Sequence, residues 1–148
     1  MIAVDTNILV YAHREETTKH ELAKRWLFYL AEGNVPWGLP VFCIGEYIRV
    51  ITHRSVFDPP SSLQDAVDGI EFLLQSPSIR LLDPGVRFFH HLKETLLVSE
   101  TTGNLTFDAQ IAALCKEHGI VNLLTDDRDF SRFPGIRIVT PEADMRAW

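Results

Sequence analysis

Acidic residues carry whatever chemistry this sequence of 148 residues offers. Asp5 closes the opening apolar run Ile2-Ala3-Val4, where a charge needs a reason. Asp126 and Asp127, with Asp129 two residues on, follow a second apolar run at 121–124 in the same way. Glu46 lies in an apolar stretch. On a helix its neighbours would be Phe42, Cys43, Arg49 and Val50, which turns it at least partly inward. Asp108 sits in the first turn of another helical pattern, with Ile111 and Ala112 on its face.

Each acid has an ordinary explanation alone. Asp5-Thr6-Asn7 can cap a helix, Asp is common in turns after strands, and Asp108 complements a helix dipole. Glu46 can pair with Arg49. Taken together, four carboxylates from four segments with no evident basic partner would repel one another unless a divalent cation joined them. Hard oxygen donors suit Mg²⁺ or Mn²⁺, and no Cys/His set competes for zinc. A carboxylate-held pair of such ions is suited to in-line attack of water on a phosphodiester.

The elements that must position these acids follow from periodicity. Ile2–Val4 reads as a buried strand and 8–13 as the helix after it. Thr18-Lys19-His20-Glu21 has the form of a capping box with Thr18 as N-cap. Leu22, Trp26, Leu27 and Leu30 then mark a helical face ending near Gly33. A short strand is expected at 37–39, and Pro40 suits the start of a helix over 41–53. Asp58-Pro59-Pro60 interrupts the chain. Ser61 or Ser62 caps a further helix whose stripe is Leu63, Val67, Ile70 and Leu74. Strands are expected at 78–82, 121–124 and 136–139, and helices at 86–99 and 107–118, the latter stopping at Gly119. Short apolar strands alternating with helices indicate an α/β fold with a mostly parallel sheet, in which ligands bind at the carboxyl ends of strands.

The composition is that of a globular chain, 46% hydrophobic and 23% charged, and no apolar run approaches the roughly 20 residues that span a bilayer. With no signal-like N-terminus, a cytoplasmic protein without membrane association is expected. Cys43 and Cys115 fall in apolar helical patterns and read as small buried hydrophobes. The net charge of −6 runs against the basic excess usual in nucleic-acid binders.

At these acids the sequence resembles the PIN-domain ribonucleases, and more closely the VapC toxins of bacterial toxin–antitoxin modules. The motifs are DTN at Asp5 to Asn7, the mid-helix Glu46, FDAQIAAL from Phe107 and TDDRDFSRFPG from Thr125. They occur in family order over nearly the whole chain. The resemblance implies a three-layer α/β/α sandwich with a central, mostly parallel sheet. It also implies one domain over 1–148 and a Mg²⁺- or Mn²⁺-dependent endoribonuclease acting on tRNA or rRNA. Asp5 and Asp108 then correspond to the main metal ligands, and Glu46 to the second acidic position, directly or through water. The fourth position stays open: family spacing favours Asp127, then Asp129, with Asp126 adjoining. Asn7, Thr125 and Asp126 would hold the ligands from behind. The residue before the third acid is often His in relatives and is Phe107 here, a difference at the site's edge.

The family also implies a homodimer and a small VapB-like antitoxin, whose C-terminal segment offers a basic side chain to the acidic pocket. The negative charge then has a reading, because bound dications reverse the local effect of the carboxylates. Arg14, Lys24, Arg49 and Arg54, with Lys19, Arg25, His13 and His53 nearby in sequence, either form a rim for RNA phosphates or are ordinary solvated helix faces. Three other readings are a stand-alone PIN nuclease of RNA processing, a non-catalytic metal-binding or PIN-scaffold module, and a receiver-type Mg²⁺ pocket. The last wants a phospho-acceptor Asp on the middle strand and a downstream Lys, a pattern absent here.

Overall fold

Ile2, Ala3 and Val4 are all buried and form β1 (Ile2–Val4), the middle strand of a five-stranded sheet. The computed structural model describes residues 1–148. The other strands are β2 (Trp37–Pro40), β3 (Ile79–Leu82), β4 (Asn122–Leu124) and β5 (Arg137–Val139), in spatial order β3-β2-β1-β4-β5. Every pairing is parallel, with Ala3 opposite Gly38 on one side and Leu123 on the other. Strands covered on both faces carry continuous apolar runs, and β1 and β2 are buried throughout. The edge strands β3 and β5 instead expose Arg80 and Arg137, charges that discourage edge-to-edge pairing. Gly38 marks a close approach, since a Cβ there would lie 2.9 Å from Leu82 Cδ1 and 3.0 Å from Ile120.

Six helices flank the sheet. Helices α1 (Thr6–His13), α2 (His20–Glu32), α3 (Val41–Ile51) and α4 (Leu63–Leu74) pack on one another, while α5 (Phe88–Val98) and α6 (Leu105–Glu117) form a second packed pair. The fold is thus the expected α/β/α arrangement, with an entirely parallel sheet. Trp26, Trp37, Ile8, Leu123 and Phe130 are among the fully buried side chains of one continuous core. Cys43 and Cys115 lie in it as free thiols. No helix is long and apolar enough to cross a membrane.

Several local expectations shift, each for a visible reason. Helix α1 begins at Thr6, two residues early, because the Asp5 carboxylate accepts the Thr6 N–H at 2.7 Å and caps it. The capping box at Thr18 does not form. Thr17 Oγ1 donates to Arg14 O and Tyr11 O in the preceding turn, and α2 starts after Lys19, which makes no side-chain cap bond. Helix α3 stops at Ile51, where Thr52 Oγ1 donates back to Ile48 O. Ser62 rather than Ser61 caps α4. That helix buries Ala66 and Ile70, leaving Leu63 and Leu74 exposed. Its stripe is rotated because Gly69 lets α4 approach α3: a Cβ there would meet Tyr47 Oη at 2.7 Å. Val86 is fully exposed and α5 starts only at Phe88, while α6 begins two residues before Phe107. Helix α6 ends in a Schellman motif, with Gly119 at φ +68° and Ile120 N–H donating to Cys115 O at 2.8 Å.

Candidate active site at the carboxyl edge of the sheet

The chain leaves β1 for β2 on one side and later returns with β4 on the other, so the carboxyl ends of β1 and β4 flank a topological switch point. Asp5 and Thr125 are the first residues beyond those two strands. Asp5 N–H donates to Leu124 O at 3.0 Å, which continues the ladder into the site. The Asp5 carboxylate accepts three hydrogen bonds: Thr6 N–H at 2.7 Å, Asn7 Nδ2 at 2.7 Å and Thr125 Oγ1 at 2.6 Å. The Thr125 hydroxyl also accepts from Asn7 Nδ2 at 2.9 Å and from Asp127 N–H at 3.0 Å. One donor and two acceptor positions are all a hydroxyl has, so Thr125 is fully used.

Around this hub a pocket of about 310 Å³ is lined by Asp5, Glu46, Asp108 and Asp127, together with Thr6, Asn7 and Tyr11. Glu46, from the middle of α3, is placed by Thr6 Oγ1, which donates to its Oε2 at 2.8 Å. Its other oxygen makes only a loose contact with Arg49 at 3.7 Å, so ion pairing and a shared site coexist. Asp108 comes from the first turn of α6. Asp127 caps the short 3₁₀ turn Arg128–Arg132, its Oδ1 accepting the Asp129 N–H at 2.8 Å. Asp129 itself is exposed and lines neither this pocket nor its neighbour.

The electrostatics match this enclosure. Burial pushes Asp5 up to about 7, against the pull of the Thr125 and Thr6 hydrogen bonds and with help from the charges of Glu46 and Asp108. Asp108 is pushed up to about 6, by burial first and then by Asp127, Glu46 and Asp129, with Arg132 opposing. Both shifts favour the protonated carboxyl in a pocket whose walls contain no Lys or Arg.

The expected metal passes a qualified test. The donors are all hard oxygens, as Mg²⁺ and Mn²⁺ prefer. Yet the acids surround the pocket without closing on a single point: no three His, Cys, Asp or Glu side chains are gathered tightly enough to hold an ion by themselves. The convergence is looser than the sequence led one to expect. Mg²⁺ commonly keeps several waters and takes one or two carboxylates directly, so it does not require a closed protein cage here.

The remaining sequence-derived residues divide. Asp126 turns away from the pocket to ion-pair with Lys19, and only its backbone N–H, donated to Asn7 Oδ1 at 3.2 Å, supports the hub. Arg49 lies at the adjoining cleft. Arg14 is occupied elsewhere, donating to Ser61 Oγ and Pro59 O at 2.9 Å and lying 4.4 Å over the Phe57 ring. Lys24 lines a separate apolar groove with Leu27 and Phe72. Arg54 is exposed and unpaired. Of these basic residues Arg49 is the one that lines the cleft sharing Glu46, Asp108 and Asp127 with the pocket. Thr6 and Tyr11 were missed as site residues. Asn7 and Tyr11 stand four apart on α1 and share a face, a signal that appears once the helix is started at Thr6.

Comparison with known proteins places the chain in a family and its fold among solved structures. The model of the PIN domain family matches residues 2–136. The chain is 37% identical over 137 residues to the VapC ribonuclease Mb2897 of Mycobacterium bovis, covering 93% of this chain and 92% of that protein. It is 30% identical over 143 residues to ribonuclease VapC25 of Mycobacterium tuberculosis, covering 95% and 99%. Among solved structures, VapBC2 of Rickettsia felis bound to a promoter DNA fragment superposes with a TM-score of 0.70 at 19% identity, over 95% of this chain and 98% of that one. The sarcin-ricin loop cleaving toxin VapC20 of Mycobacterium tuberculosis superposes with a TM-score of 0.67 at 22% identity, over 93% and 99%.

Proposed function

The chain belongs to the PIN-domain family and, within it, to the VapC ribonucleases, and from that premise we propose that it is the toxin of a VapBC-type module, an endoribonuclease that uses Mg²⁺ or Mn²⁺ to cut tRNA or rRNA. One observation carries the reading: four carboxylates from four separate segments line one pocket that has no cation of its own. In this reading Asp5 and Asp108 take the metal, Glu46 joins directly or through water, and Asp127 fills the fourth position. Asp129 is the reserve ligand for that place. When bound, the ion supplies a Lewis acid and an activated water for phosphodiester hydrolysis.

The chain's own contribution is placement. Thr125, Asn7 and the Thr6 N–H fix both oxygens of Asp5, and the Thr6 hydroxyl turns Glu46 toward it. The Asp129 N–H holds one oxygen of Asp127 and leaves the other for a ligand. No side-chain nucleophile is needed, and the histidines lie elsewhere: His13 bonds Tyr47 and Ser61, His20 meets Tyr11 O, and His118 meets Asp83 O. The likeness to VapBC assemblies supports a small antitoxin as partner. A homodimer, action in the cytoplasm and one PIN domain across 1–148 complete the proposal.

Purified protein should cleave RNA with Mg²⁺ or Mn²⁺ and stop on addition of chelator. Asp5→Asn or Asp108→Asn should lower cleavage on the order of 10³-fold, the loss of several kcal/mol of metal-borne stabilisation. Circular dichroism should show the fold intact. Full activity in either variant overturns the assignment.

A further inference from the structure

A larger cleft of about 790 Å³ opens beside the carboxylate pocket and shares Glu46, Asp108 and Asp127 with it. Its other walls are of a different kind. The α3 side contributes Phe42, Gly45 and Arg49, and the start of α6 contributes Asn104, Phe107 and Gln110. Phe107 is 62% exposed, one residue before Asp108. The Phe42 ring packs against Phe88 at 5.7 Å, whereas Phe107 has no aromatic partner in the chain. Arg49 is largely exposed and held only by its loose contact with Glu46.

Gly45 adds an independent sign. Glycine inside a helix is destabilising relative to alanine, yet no packing demand explains it here, because a Cβ at this position would meet nothing within 4 Å. The missing side chain keeps the α3 wall of the cleft flat and open. A bare helix surface, an unpaired aromatic ring, two amides and a loosely held guanidinium thus border the acids.

We propose that this cleft receives one unpaired nucleotide adjoining the scissile phosphate. Its base stacks on Phe107, its edge faces the amides of Asn104 and Gln110, and the next phosphate meets Arg49. The inference rests on the ribonuclease reading and adds Phe107 as a positioning residue, with the α3 wall at Gly45 leaving room for the stacked base. A base inside a duplex presents no free face to a side chain, so a ring placed here engages only splayed-out nucleotides. Stacking tolerates every base and needs no positive charge, which suits a binding wall beside so many carboxylates.

The test is fluorescence anisotropy in chelator, using a labelled mixed-sequence RNA strand of about 12 nucleotides, within the usual range of single-strand sites, and its fully paired duplex. The wild-type protein should prefer the single strand. Phe107→Ala should weaken binding about 5- to 150-fold, the loss of one stacked base. Phe107→Leu, apolar but without a π face, should fall with it, and Phe107→Trp should bind like wild type. Gly45→Leu fills the cleft and should weaken binding without lowering the melting temperature. With Mg²⁺ present, Phe107→Ala should raise KM more than it lowers kcat, since it removes binding common to ground and transition states. Binding unchanged in both Phe107→Ala and Phe107→Leu, alongside active wild-type enzyme, overturns the stacking site alone. Wild-type protein that binds the strand by this pattern but cuts with no metal overturns the ribonuclease reading alone. Protein that neither binds nor cuts overturns both.

Discussion

Where β4 ends, two neighbouring acids enter different surroundings. Asp126 meets Lys19, which also reaches Glu142 at 2.9 Å, and it accepts the Tyr11 hydroxyl at 3.3 Å. Asp127, one residue on, joins Asp5, Glu46 and Asp108 around a pocket lined by no cationic side chain. The fold can evidently bring a lysine to an acid at this edge, since it does so on the flank. In the pocket it supplies hydroxyls, an amide and backbone N–H groups, which orient carboxylates without neutralising them. Asp5 and Asp108, raised by desolvation and by the neighbouring carboxylates, mark a place suited to an outside ligand more than to stability.

Three experiments bear on that contrast. The largest effect is expected from Thr125→Val, which deletes the hydroxyl serving Asp5, Asn7 and the Asp127 N–H together. Under the proposed metal assignment cleavage should fall about 10- to 100-fold, the usual loss when a group orienting a ligand is removed, with Thr125→Ser restoring most of it. A rate equal to wild type for Thr125→Val would show that the hub does not set the site.

Next comes pH. Asp5 and Asp108 are raised in the folded protein to about 7 and about 6, so the native state keeps protons that the unfolded chain has lost. The two acids' contribution to stability, measured in chelator as wild type against Asp108→Asn, should therefore decline as pH climbs from about 4 to about 7. Mg²⁺ should raise the melting temperature more at the alkaline end of that window, where it need not displace protons. Asp108→Asn should flatten the slope. A melting temperature indifferent to pH across the window, with or without Mg²⁺, would contradict the picture of a strained pocket.

The smallest effect belongs to the flank. Lys19→Ala breaks a partly exposed ion pair and should destabilise by no more than about 1 kcal/mol, with cleavage unaltered. Loss of activity in that variant would erase the distinction between the two regions.

Much of this was legible in the residues alone. Strands β1 and β4 announce themselves as apolar runs that end in acid, and the positions of Asp5, Glu46 and Asp108 on their elements follow from periodicity, whereas the preference for Asp127 over Asp126 and Asp129 came from the resemblance to the PIN-domain family. What joins them was not legible. The Thr6–Glu46 bond spans 40 residues, the Thr125–Asp5 bond 120 and the Lys19–Asp126 pair 107. Such contacts depend on strand register and helix placement that no local pattern encodes. Charge alone left Arg14 and Lys24 open between an RNA rim and ordinary helix faces; in the fold Arg14 clasps the chain near Pro59 and Lys24 faces another groove. Apolar size alone misplaced the α4 stripe, because the small residues Ala66 and Gly69 set how close that helix comes.

The 120 residues between Asp5 and Thr125 have a consequence during synthesis. β1 emerges first but is central in the sheet, so its β4 flank stays open until residues 122–124 arrive. At about 5–20 residues per second of translation, a nascent chain spends nearly all of its manufacture with Asp5 unclamped and the last wall of the pocket missing. The four-carboxylate pocket therefore exists only in a nearly finished chain, and a fragment released early carries Asp5 without the Thr125 hydroxyl and without Asp127 beside it.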